Sequence, residues 1–216
     1  MTTLILIAKE PLPGRAKTRL HPPLSLEQAA RLAAAAIDDT IAAVASLSAS
    51  RRILLFDGVR PPRSSRGYEI MPQLAGELDE RLAAAFDAVD GPTLLIGMDT
   101  PQLRADDLAP VFDAWLPDID AWFGPAADGG YWALGMREPR GELIRGVPMS
   151  RSDTGNIQLR RLTAAGLRVA MLRPLTDVDT FDDARKVASV APATSFARLL
   201  GELLPVADDG APQRPR

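Results

Sequence analysis

The chain has no cysteine, which excludes disulfides, thiolate-held metals and a cysteine nucleophile, and is compatible with a reducing compartment such as the cytoplasm. It has a single histidine, His21, beside Pro22-Pro23, where a surface loop residue is expected rather than a catalytic or metal-binding imidazole. Long apolar runs are also missing. Leu4-Ile5-Leu6-Ile7 is too short for a signal segment and has no basic residue before it, and no stretch approaches the roughly 18 apolar residues of a membrane helix. No internal repeat is visible. A net charge of −3 supplies no field that would gather nucleic acid or an anionic membrane, so any anion site must be a local cluster. The expected partners are small molecules, and the expected assembly a monomer or homodimer.

What remains is an ordinary soluble composition, with 46% hydrophobic and 25% charged residues in 216, enough for one large core. A single domain is expected over residues 1–204, followed by a disordered tail from Pro205 that is rich in Pro, Asp, Gly and Arg. Strand-like and helix-like stretches alternate. MTTLILIA reads as a buried strand and Leu26 to about Leu47 as a long helix opened by a Ser25–Gln28 capping box. RRILLFDG is a strand, YEIMPQ a short extended piece, ELDERLAAAFDAVD a helix, PTLLIGMD a buried strand and ADDLAPVFDAWL a helix. DAWFGPAADGGYWALGM suggests two strands around a turn. SDTGNIQLRRLTAAG suggests a helix whose N-terminus is capped by hydroxyls of the Ser150–Gly155 segment, RVAMLRP a strand, and DVDTFDDARKVAS a loop and helix. Trp115, Trp122 and Trp132 fall where core packing is expected. Such alternation gives an α/β protein with a mostly parallel sheet covered on both faces and ligands at the carboxyl ends of its strands.

Four polar clusters fall at those ends: the basic loop Lys9–Arg19, Gly97-Met98-Asp99-Thr100-Pro101, Asp128-Gly129-Gly130-Tyr131, and Asp177-Val178-Asp179-Thr180. Each alone is explained by a turn, a cap or a solvated surface. Together, one cationic loop and several carboxylates on one sheet edge are what a magnesium-bound triphosphate requires, because Mg²⁺ takes carboxylate and phosphate oxygens and cations offset phosphoryl charge. Backbone amides around Gly14 can add to the loop. The end of the loop, GRAKT, is not a P-loop: Lys17 follows Ala16 rather than glycine, and Gly14 is the loop's only glycine. The dinucleotide fingerprint GxGxxG is absent from it as well.

In AKEPLPGRAKTRL, PQLAGELDERLAAAF, IGMDTPQL, GPAADGGYWALG and DVDTFDD, the chain resembles the GT-A-like glycosyltransferase and nucleotidyltransferase family. Its relatives there include 2-phospho-L-lactate guanylyltransferase, molybdenum cofactor guanylyltransferase and the rSAM/selenodomain-associated transferases. The resemblance runs from about Thr3 to Asp183 and implies a three-layer α/β/α Rossmann-like fold of the nucleotide-diphospho-sugar transferase type. It implies a nucleotide held by Ala8, Lys9, Gly14, Arg15, Lys17 and Gly76, with Lys17, Arg19 and Asp99 as catalytic groups and Lys17 against the α-phosphate. It also implies Mg²⁺ or Mn²⁺ on Asp99 and Asp179, and an acceptor near Asp128 and Gly129; Arg151, at the start of an expected helix where an anion can bind, is a further acceptor candidate. Relatives often carry GDLGER where this chain has Gly76-Glu77-Leu78-Asp79-Glu80-Arg81, so Asp79 replaces a small residue. The activity so implied joins the NMP of a nucleoside triphosphate, GTP among the candidates, to a small phosphorylated acceptor with loss of pyrophosphate. Glycosyl transfer from a nucleotide-sugar and non-catalytic nucleotide binding are the alternatives.

Overall fold

A computed structural model describes residues 1–113 and 115–204; the tail expected to be disordered lies outside the described residues. Seven strands, β1 (Thr3–Lys9), β2 (Arg51–Asp57), β3 (Glu69–Pro72), β4 (Thr93–Gly97), β5 (Ala121–Pro125), β6 (Tyr131–Met136) and β7 (Val169–Met171), form one sheet in the order β3-β2-β1-β4-β6-β5-β7. Among its neighbouring pairs only β4/β6 and β5/β6 are antiparallel. The helices are α1 (Leu26–Ala43), α2 (Leu78–Asp87), α3 (Ala105–Asp113), α4 (Thr154–Ala164), α5 (Phe181–Val190) and α6 (Ser195–Leu203).

The continuous apolar strand runs arise because both sheet faces are covered. In β1, Leu4 and Leu6 point into one core with Ile37 and Ile41 of α1 and Leu108 and Val111 of α3. Ile5 joins the opposite core with Leu82 and Phe86 of α2 and Leu162 of α4. A third cluster covers the outer side of α1, where Ala29, Leu32 and Ala36 meet Val187 of α5 and Phe196 and Leu200 of α6. The capping box at Ser25 forms as the sequence suggests, with Ser25 Oγ accepting from Gln28 N–H.

Some boundaries differ from the sequence reading. Helix α1 stops at Ala43 rather than near Leu47, and α3 ends at Asp113 rather than Leu116. Helix α6 has no counterpart in the sequence reading; its N-terminus is held by Thr194 Oγ1 and by Asp39, whose carboxylate accepts from Ser195 and Phe196 N–H. The Ser150–Gly155 segment does run into a helix, whose first residues are Thr154 and Gly155, but the N-cap is Asp153 without a side-chain bond. Thr154 Oγ1 instead donates to the Pro148 carbonyl at 2.7 Å and accepts from Arg151 N–H, so it braces the preceding loop.

From β1 the chain builds outward through β2 and β3, then returns to place β4 on the other side of β1. The carboxyl ends of β1 and β4 therefore flank the topological switch point, where an open α/β sheet leaves a crevice. The Asp128-Gly129-Gly130 turn between β5 and β6 is fixed beside this crevice by α4. Gly129 has φ +90°, its carbonyl accepts from Gly155 N–H at 2.8 Å, and a Cβ there would fall 1.9 Å from the Ser152 carbonyl oxygen. Gly129→Ala combines a left-handed backbone with a backbone collision, and is expected to cost about 2 kcal/mol or more; urea denaturation should show the loss, with the same change at exposed Gly91 much milder.

Candidate functional site

The loop after β1 is organised from within before it meets anything else. Gly14, with φ +73°, turns the chain, and the Leu12 carbonyl accepts from Arg15 and Ala16 N–H at 3.0 and 3.2 Å. Those amides are thus spent on the turn and are not open for a ligand, and Gly14 shapes the loop. Lys17 follows in the left-handed region at φ 51°, ψ 37°, an arrangement that costs a non-glycine residue energy and recurs at functional sites.

That backbone sends the Lys17 side chain inward until only 8% of it is exposed. Its Nζ lies 2.6 Å from Asp99 Oδ1 and 3.2 Å from Asp179 Oδ1, so it joins the loops that follow β1, β4 and β7. Burial opposes its charge, but the two carboxylates outweigh burial, and its pKa is raised. The Asp99 and Asp179 loops are also tied to each other through Val178 N–H, which donates to the Asp99 carbonyl at 2.9 Å. Arg19 stays exposed, with Nη1 3.8 Å from Asp179 Oδ2.

Around this triad are two hollows. A basic one of about 230 Å³ is lined by Lys9, Arg15, Lys17 and Arg19, with Met98 and the carboxylates Asp99 and Asp179. Lys9 and Arg15 lean on Asp57 at 3.7 and 4.0 Å, contacts long enough to leave both cations available. A larger cleft of about 580 Å³ runs from Asp99, Asp179 and Arg19 past Asp128, Asp177 and Arg151 to an apolar wall. Asp99, Asp179 and Arg19 line both hollows.

Ala8 is buried at the end of β1, where its carbonyl accepts from Gln73 Nε2 at 3.0 Å, and Arg81 in turn donates to Gln73 Oε1 at 2.8 Å. Gly76 lies before α2 at φ +123° and lines neither hollow. Asp79, the departure from the related sequences, accepts from Gly146 N–H at 2.6 Å and so links α2 to the segment before α4. Asp128 and Arg151 do reach the large cleft. However, Arg151 is held by a two-pronged pair with its neighbour Asp153, at 2.9 and 3.0 Å.

Asp177 is the residue that sequence reasoning passed over in favour of Asp179. Its signal was present: in an extended stretch residues two apart share a side, and Val178 between them is buried. Burial, together with the neighbouring charges of Asp99, Asp128 and Asp179 and against that of Lys17, pushes the Asp177 carboxyl up to about 7, and its Oδ1 is buried without a hydrogen-bond partner. This crowd of hard oxygen donors fits a divalent cation: an orphaned carboxylate oxygen and several acids facing a single buried ammonium are relieved by added positive charge. Asp99 and Asp179 would hold it, with Asp177 behind them. Among the described residues no three acidic or histidine side chains stand as a preassembled cage.

The raised carboxyl has a definite consequence for pH. In the folded chain Asp177 keeps its proton up to about 7, whereas unfolded it releases it near the ordinary value of about 4. Its contribution is therefore fully present below about 4 and is lost as pH rises to about 7. With chelator present, wild-type melting temperature should fall between pH 5 and pH 8, and Asp177→Asn should fall less; equal slopes would contradict this account.

The fold and parts of the sequence match known proteins. A crystal structure from Desulfovibrio desulfuricans G20, provisionally assigned as a nucleotide-diphospho-sugar transferase, superposes with a TM-score of 0.81 at 24% identity, over 93% of this chain and 94% of that one. Rv0371c of Mycobacterium tuberculosis H37Rv, in complex with manganese, gives 0.54 at 24% identity over 87% and 97%. The 2-C-methyl-D-erythritol 4-phosphate cytidylyltransferase of Thermus thermophilus gives 0.53 at 16% identity over 89% and 100%. At these identities the likeness is one of fold, that of the nucleotide-diphospho-sugar transferases and cytidylyltransferases. No curated protein matches the sequence. A family model described as "Uncharacterized protein conserved in bacteria (DUF2064)" matches residues 29–151, more than half of the chain. With this match over more than half of its length, the chain belongs to the DUF2064 family.

Proposed function

We propose that the protein is a divalent-metal-dependent nucleotidyltransferase. The observation that carries the reading is the burial of Lys17 between Asp99 and Asp179 at the β1/β4 switch point, with a basic hollow on one side and a roomy cleft on the other. The basic hollow takes the triphosphate, where Lys9 and Arg15 neutralise its oxygens, and the cleft takes the acceptor, with Arg19 on the border between the two. An acceptor phosphate oxygen attacks the α-phosphorus, the new P–O bond forms as the bond to the β-phosphate oxygen breaks, and pyrophosphate leaves. No protein nucleophile is needed, because the attacking oxygen is already anionic; the protein contributes alignment and charge. Lys17 neutralises the α-phosphate, while Asp99 and Asp179 would hold Mg²⁺ or Mn²⁺. When bound, the metal supplies Lewis-acid polarisation of the phosphate and charge neutralisation.

The manganese in the M. tuberculosis structure supports this choice of cation, and the cytidylyltransferase of the same fold supports transfer of a nucleotidyl group. Transfer of a sugar from a nucleotide-sugar is the second reading, favoured by Asp128, whose carboxylate lines the acceptor cleft where a general base would act. A larger thermal shift with a nucleotide-sugar than with any triphosphate would select it.

A panel of four triphosphates with Mg²⁺ or Mn²⁺ and assorted phosphate monoesters should give pyrophosphate release with at least one pair. Asp99→Asn should lower that turnover by about 10²-fold or more while leaving the fold intact by circular dichroism. Failure of every triphosphate to bind or react would overturn the reading.

A further inference from the structure

The large cleft carries information about the acceptor itself. Its inner wall is made by Ile7, Leu78, Leu82, Leu95, Met149 and Tyr131, which come from β1, α2, β4, β6 and the segment before α4. Ser150, Ser152 and Thr154 line the same cleft beside Arg151. The Tyr131 hydroxyl is buried in the apolar wall without a hydrogen-bond partner, against Phe123 with ring centroids 5.4 Å apart.

The charges of the cleft are equally one-sided. Of its two cations, Arg19 sits at the mouth beside Asp179, and Arg151 is already committed to Asp153 by both prongs. Against them the cleft presents Asp99, Asp128, Asp177 and Asp179. The N-terminus of α4 offers no substitute anion site, since Thr154 N–H donates to the Arg151 carbonyl and Gly155 N–H to the Gly129 carbonyl. An acceptor therefore finds compensation for one anionic group, at Arg19 beside the reacting centre, and none for a second anion deeper in.

We propose that the acceptor is a phosphate monoester with a largely apolar body and no second acidic group: its phosphate lies at Arg19 and its body lies along the Ile7–Leu78–Leu82–Leu95 wall. This rests on the nucleotidyltransferase reading above and narrows its substrate class. It separates that class from phosphorylated carboxylic acids, whose carboxylate would lie among Asp128 and Asp177, and from sugar phosphates, whose hydroxyl groups would be stripped of water against leucine side chains.

The test is calorimetric binding to the full chain loaded with Mn²⁺ and a non-hydrolysable triphosphate, using hexyl phosphate, phosphoglycolate and glucose 1-phosphate as probes. Hexyl phosphate should bind about tenfold tighter than either of the others, since even two or three buried methylenes suffice for that ratio. Leu78→Asp, at a partly buried position, should erase the preference; Leu78→Met should retain it and serves as the control for folding. Equal or tighter binding of phosphoglycolate or glucose 1-phosphate overturns the inference, as does triphosphate binding with no binding of hexyl phosphate. Absence of triphosphate binding itself counts against the underlying reading of the basic hollow, and so is distinguished from failure of the acceptor proposal.

Discussion

The interaction on which the site depends is the burial of one ammonium group between two carboxylates from distant parts of the chain. Lys17 belongs to the first loop, Asp99 to the loop after β4 and Asp179 to the loop after β7. An isolated charge could not be buried this deeply, and two facing carboxylates without a cation would repel each other. Each side thus requires the other, and the left-handed backbone at Lys17 is tolerated because the pair fixes where the side chain must go. Removing both carboxylates would leave the Lys17 ammonium uncompensated inside the protein, which is far costlier than losing a surface ion pair, whereas after the loss of one the other still compensates it.

The sheet makes that meeting possible. Because β1 lies between β2 and β4, its carboxyl end opens onto a crevice, and Lys17 and Asp179, 162 positions apart in sequence, arrive on the same edge. The antiparallel β6 then turns Asp128 and Tyr131 toward the same space, and α4 locks the Gly129 turn in place. The result is an asymmetric site in which cations gather on one side of the triad and carboxylates and apolar side chains on the other. The proposed division of labour, a triphosphate on the first side and a mostly apolar acceptor on the second, rests on this asymmetry.

The same asymmetry explains which expectations changed in detail. Asp99, Asp179, Lys17 and Arg19 do gather, as their position after strands suggests, but Lys17 stands between the two acids rather than apart from them. Arg151 reaches the cleft yet is neutralised by a residue two positions away, a pairing that depends on rotamer and loop shape. Gly14 and Gly76 act through backbone conformation and line neither hollow. Asp177 gains its raised pKa from burial and from neighbours contributed by other loops, so the spacing of Asp-Val-Asp could place it near the site but could not reveal that shift.

By itself the sequence determined the alternation of strands and helices, the covered sheet, and the set of strand-end loops that hold the polar residues. It could do so because buried parallel strands demand continuous apolar runs, and because helices and caps follow local periodicity. The Ser25 capping box is legible for the same reason, since its partners lie three residues apart. Only the tertiary structure decided the docking of α6 on α1, the neutralisation of Arg151, the burial of Lys17 and the apolar wall of the cleft. Each of these depends on how the folded chain arranges its loops and faces, and the charge state of a carboxylate or the wetness of a pocket is a property of those surroundings rather than of the residue.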